Sequence, residues 1–137
     1  MKANELMIDD WVMLKGSHYQ IEEISRKGWV HLVCNGIRIN MTTDYLLEVL
    51  QPIPLTPEIL EKNGFKREEW IDNKGRFVSD DGRLILQNDE NFINSFNTWY
   101  MHIDNEDFET IASCELSYVH QLQHALRLSG INKEIND

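Results

Sequence analysis

Short apolar runs separated by turn residues fill the opening of the chain. Met7–Leu14, Tyr19–Ile24, Trp29–Val33 and Ile37–Met41 are divided by Lys15-Gly16-Ser17, Arg26-Lys27-Gly28 and Asn35-Gly36. Alternation is clearest in the middle, where Tyr19, Ile21 and Ile24 are spaced by polar residues. Asn35-Gly36 between two such runs predicts a two-residue hairpin turn. Asp44–Leu47 reads as a short 3₁₀ turn before a last strand, Glu48–Leu50. Four or five short strands in about 50 residues predict a small SH3-like or KOW-like β-barrel. Trp11, Trp29 and Tyr45 either fill that barrel or line a peptide groove on it; filling the barrel is the expectation.

Three prolines in Gln51–Pro57 disfavour both helix and sheet pairing there, which marks a connector and a domain boundary. A short helix follows. Thr56 is its N-cap, Pro57 its first residue and Gly64 its stop, with Phe65 placed to fold back onto Leu60. Residues 68–115 then read as an antiparallel meander. Its strands are predicted at Glu69–Asp72, Arg76–Ser79, Arg83–Gln87, Phe96–Ile103 and Phe108–Cys114. Trp99, Met101 and Ile103 share its more apolar face. Because alternate turns of a meander lie at one end, Asp80 and Asp81 are expected beside Asp104, Glu106 and Asp107. This acidic patch lacks the residue order of a calcium loop, so solvated turn carboxylates are expected.

The last regular segment is Ser117–Ile131. Ser117 suits an N-cap and Gly130 a left-handed C-terminal residue. At about 100° per residue, Tyr118, Val119, Leu122, Ala125 and Leu126 form a core-facing stripe, expected to cover the meander near Trp99 and Met101. Leu128 lies off it. His120, Gln123, His124 and Arg127 fall on the opposite side, where both histidines are expected to be solvated. His120 and His124 have the spacing of a zinc pair, but Gln121 stands where a zinc protease carries its Glu base. A surface metal site would need a third ligand such as His102 or Cys114, and none of these residues is assigned a metal.

Composition narrows the function classes. The net charge is −10, with 23 acidic against 13 basic residues. Residues 1–51 carry −2 and residues 52–137 carry −8. Neither offers a basic stripe, so direct nucleic-acid binding is disfavoured. An acidic surface suits a basic partner or mimicry of nucleic acid. No apolar run approaches the roughly 18 residues of a membrane helix, and the N-terminus does not read as a signal peptide. Cys34 and Cys114 lie far apart without a CxxC partner, so reduced, inert thiols in a cytoplasmic protein are expected. There is no P-loop, dinucleotide fingerprint or nucleophile elbow, and no catalytic residue or cofactor is assigned.

Two phrases, PLTPEILEKNGF at Pro54–Phe65 and YVHQLQHALRLSGI at Tyr118–Ile131, follow an opening MKANELMIDDWV. Together they resemble a family of short uncharacterised proteins from gut anaerobe genomes, associated with prophage and mobile elements. The resemblance covers both ends and the connector. It implies a cytoplasmic accessory protein, and no functional residue carries over with it.

The sequence therefore predicts an α+β protein. Residues 1–51 form an SH3-like β unit, 52–57 a Pro-rich connector, and 58–137 an α, β-meander, α unit. A non-enzymatic protein-interaction module is the leading expectation. An acidic protein occupying a basic, nucleic-acid-binding host surface is the second, and a metal-dependent enzyme using His120 and His124 the third.

Overall fold

The computed structural model describes residues 5–68, 76–88, 99–131 and 133–136. In chain order the elements are β1 (Trp11–Leu14), β2 (Ser17–Ile24), β3 (Trp29–Cys34), β4 (Ile37–Thr42), α1 (Thr43–Val49) and β5 (Leu50–Pro52). Then come α2 (Pro57–Lys62), β6 (Lys66–Glu68), β7 (Arg76–Val78), β8 (Leu84–Asn88), β9 (Trp99–Asp104), β10 (Thr110–Leu116) and α3 (Val119–Leu128). The architecture is α+β with two antiparallel sheets.

The chain divides into two compact units, and the division is not linear. One unit holds the chain up to Ile53 together with Tyr118–Lys133; the other holds Pro54–Ser117 with Glu134–Asn136. The Pro-rich segment does contain a crossing, at Ile53/Pro54. The 58–137 unit read from the sequence, however, loses its closing helix to the N-terminal side. Each unit ties its own discontinuous ends with a backbone bond. In the first, Val119 N–H donates to Ile53 O at 2.9 Å; in the second, Leu55 N–H donates to Ser117 O at 2.9 Å.

In the first unit the strand order is β4-β3-β2-β1-β5. Among the described residues β4 and β5 are the two edges, so the sheet is open and the expected barrel is not closed. Lys15-Gly16 and Asn35-Gly36 make the two-residue turns. Both residues of each have positive φ, 48° and 82° in the first, 48° and 80° in the second, as a type I′ hairpin requires. The predicted 3₁₀ turn is the α-helix α1, and the last strand starts at Leu50 instead of Glu48. The core is aliphatic: Leu6, Val12, Leu14, Ile21, Val30, Leu32, Leu46 and Leu50. Trp29 and Tyr45 are each 45% exposed, which corrects the expectation that aromatics fill this unit. The reason is register. Val30 and Leu32 point inward, so Trp29 must point to the opposite face of β3.

In the second unit the order β10-β9-β8-β7-β6 is the expected meander. Its first strand is Lys66–Glu68. The predicted strand Glu69–Asp72, the turn at 73–75, residues 96–98 of the fourth predicted strand, and the turn before it from residue 89 on lie outside the described residues. Trp99, Met101 and Ile103 are buried as the alternation requires, and the Trp99 ring meets Phe77 edge-on at 5.7 Å. Trp99 Nε1–H donates to Leu55 O at 3.0 Å, which satisfies the one polar atom of a fully buried indole. Thr56 Oγ1 accepts from Ile59 N–H, and Gly64, at φ 86°, ends α2. Phe65 N–H then donates back to Leu60 O, the bond that closes a Schellman cap. The tail is fixed here too: Asn63 and Asn136 exchange two bonds of 2.7 Å, and Ile135 is buried.

Candidate functional site

Helix α3 ends as its sequence predicts. Gly130 has φ 72°, its N–H donates to Arg127 O, and Ile131 N–H donates to Leu126 O. Its start differs. The helix begins at Val119, and Gln121 Oε1 accepts the Tyr118 N–H at 3.2 Å. Tyr118 is the N-cap, not Ser117, whose carbonyl accepts from Leu55 N–H.

The buried side of α3 is wider than the apolar stripe. Val119, Leu122 and Leu126 are buried as expected, but so are His120 and Gln123. His120, Gln123, His124 and Arg127 fall at i, i+3, i+4 and i+7, one continuous polar stripe. Its partner is the corner Asp9–Asp10–Trp11 that leads into β1. The helix was expected on the meander; its polar stripe docks on the N-terminal β unit, with which the helix is grouped.

Asp10 is the hub. Its side chain is fully buried, and both carboxylate oxygens are engaged. Oδ2 accepts from Met7 N–H at 2.8 Å and lies 2.7 Å from His124 Nε2. Oδ1 accepts from Arg127 Nη1 at 3.2 Å. The backbone holds the hub in place, since Ile21 N–H donates to Asp10 O and Asp9 N–H to Ile21 O. Beside it, Gln123 reads two backbone groups in the manner of another strand. Its Oε1 accepts from Trp11 N–H at 3.0 Å, and its Nε2 donates to Asp9 O at 2.8 Å. A buried charge costs several kcal/mol unless paired and hydrogen-bonded; here the guanidinium, the imidazole and an N–H satisfy it together.

His120 completes the group from the inside. It is 3% exposed, stacked on Tyr118 with ring centroids 5.9 Å apart, and edge-on to His124 at 5.5 Å. Its Nδ1 is buried and has no hydrogen-bond partner among the described residues. Burial pushes its pKa below the usual 6.5, opposed by the charges of Asp10 and Glu5 and reinforced by His124. The expectation of two solvated histidines is therefore corrected: one is buried, and the other binds the hub.

As chemistry, the cluster is a joint. A carboxylate with both oxygens engaged is an acceptor in place, not a free base. Among the described residues no group of three His, Cys, Asp or Glu side chains could hold a metal ion. His102 and Cys114, the third ligands considered from the sequence, belong to the other unit, on β9 and β10. Cys34 and Cys114 are free thiols, and burial raises the pKa of Cys114.

The acidic turns do come together. Arg83 Nε donates to Asp104 O at 2.9 Å and Asp104 N–H to Arg83 O at 2.8 Å. Two of their carboxylates are occupied within the turns. Asp81 accepts from Ser79 Oγ at 2.6 Å and from Arg83 N–H, which hold its pKa below the usual 3.8. Asp104, which unlike Asp81 is buried, accepts from Thr110 Oγ1. Glu106 and Asp107 are exposed.

The fold defines an α+β protein of two units, and the first of them contains this buried carboxylate joint. No protein-family model, curated protein or solved structure matches the chain. No described helix is long and apolar enough to cross a membrane.

Proposed function

We propose that the chain is a non-enzymatic protein-interaction module that binds through the exposed rings of its N-terminal β unit. The observation behind this reading is the inverted placement of side chains there: the core is aliphatic, while Trp29 and Tyr45 stand in solvent. Trp and Tyr dominate the energetics of protein interfaces because they bury large, stiff surfaces. The finer, SH3-like reading of this unit is supported by the order β4-β3-β2-β1-β5 with a short helix before the last strand. SH3 domains engage peptides on aromatic-lined grooves, although a shared architecture carries no function by itself.

The test is capture of a partner from a lysate of the native host by wild-type protein, Trp29→Ala and Tyr45→Ala. One partner held by wild type should bind either variant at least tenfold more weakly, with the melting temperature unchanged and little loss in high salt. Equal binding by both variants would sink the reading.

A second reading rests on charge. With −8 on residues 52–137 and its acidic turns brought to one end, the chain suits a basic, nucleic-acid-binding host surface. Binding would then fall steeply with salt and ignore Trp29. Either role fits the prophage or mobile-element context that the family resemblance implies. The metal-dependent reading of His120 and His124 has the least support, since His124 Nε2 faces Asp10.

A further inference from the structure

The joint between α3 and the β unit contains one group whose protonation it cannot accommodate. Asp10 is already matched by Arg127 and His124. A proton on His124 leaves its bond to Asp10 intact, because an imidazolium Nε2–H still donates to the carboxylate. A proton on His120 is different. It would place a charge on a ring that is 3% exposed and create an Nδ1–H with no acceptor among the described residues. The groups that face it are Tyr118 and His124 from its own segment, with Asp10 and Glu5 from the N-terminal corner. Both acids attract the charge, but Asp10 is already shared by three donors and Glu5 is exposed, while His124 repels it.

We propose that His120 is an acid trigger for this joint: taking a proton on its buried ring loosens α3 from the Asp9–Trp11 corner. Loosening uncovers Val119, Leu122 and Leu126, the aliphatic face that the docked helix hides. His120 leaves, and carries the stripe of Gln123, His124 and Arg127 with it, because all four lie on one side of one rigid helix.

The direction of the effect follows from the ring's preference for neutrality. A histidine whose folded-state pKa lies below its unfolded value of 6.5 stabilises nothing extra at high pH. It withdraws stability as pH falls below about 6.5, until the folded form also takes the proton.

The test uses the full chain at pH 7.5 and pH 5, with hydrogen exchange corrected for its intrinsic pH dependence. Amides 122–128 should lose at least tenfold of their protection at pH 5, while β7 and β9 change little. His120→Phe, which keeps a ring and removes the titration, should abolish the difference. Should that variant not fold, the His120 ring signal of the wild type still decides: its NMR titration must have a midpoint below 6.5 and must move the Trp11 amide in parallel. Unchanged protection of α3 at pH 5, or the same loss in His120→Phe, contradicts the proposal, as does a midpoint at or above 6.5.

Discussion

The two units solve the same problem with opposite materials. The meander builds its core on rings: Phe65, Phe77 and Trp99 are inside, Phe108 is left exposed in a turn, and Glu68 pairs with Arg76 across β6 and β7. The N-terminal unit buries aliphatic side chains and leaves two of its rings outside, then holds a helix at the corner before β1 with a buried polar joint. An apolar core tolerates small shifts, because contact energy is non-directional. A buried carboxylate does not, because a lost partner leaves a desolvated charge. The meander should therefore respond to volume, and the N-terminal unit to hydrogen-bond matching.

The largest effect should come from Trp99→Ala in the meander. It removes a fully buried ring, its contact with Phe77 and the bond to Leu55, at a cost of about 3–5 kcal/mol in chemical denaturation. Asp10→Ala comes next. It removes one small side chain but strands the Met7 N–H, His124 and Arg127. Because both side-chain partners are partly exposed and regain water, about 2–3 kcal/mol is expected. Gln123→Ala leaves the Trp11 N–H and Asp9 O unmatched and should cost about 1–2 kcal/mol. Gly130→Ala is the mildest of these. A Cβ there meets nothing within 4 Å, so only the left-handed backbone is strained, for about 1 kcal/mol. If Gln123→Ala proved as harmless as a surface change, the contrast between the units would fail.

Acid should separate the units as well, with different onsets. His120 belongs to the N-terminal unit, and its burial removes stability as pH falls below about 6.5. Asp81 belongs to the meander, and its pKa is lowered by Ser79 and Arg83. Its contribution is complete above 3.8 and disappears only as pH falls below that. Probes in β7–β9 should therefore hold through the range in which α3 already loosens.

Much of this architecture was legible in the sequence because local chemistry dictated it. Both Gly-terminated helices, the Asn35-Gly36 hairpin and the buried face of β9 follow from residues within a few positions of each other. The destination of α3 did not. An apolar stripe of Val119, Leu122 and Leu126 states that a helix is covered, not by which sheet. The signal that points to the answer is polar. In a chain of net charge −10, His120, Gln123, His124 and Arg127 form a helical stripe without one acidic residue. Such a stripe needs an acid from elsewhere, and Asp10 supplies it. The spacing of His120 and His124 drew attention to metal, whereas the four-residue pattern to which they belong describes a docking edge. Asp10 itself carried no sign in the sequence, since it fell inside the run Met7–Leu14, whose strand begins only at Trp11. Trp29 was misplaced for a related reason: size suggested core, while strand register decided the face; Tyr45 lies on α1, whose buried residue is Leu46.

The central claim is that Asp10 ties α3 to the N-terminal β unit, and a double-mutant cycle of Asp10→Ala with His124→Ala measures that tie most directly. If the claim holds, the two losses fall short of additivity by about 1–3 kcal/mol, as for groups in one buried network. Losses that add within about 0.5 kcal/mol, as for sites that share no contact, would contradict it.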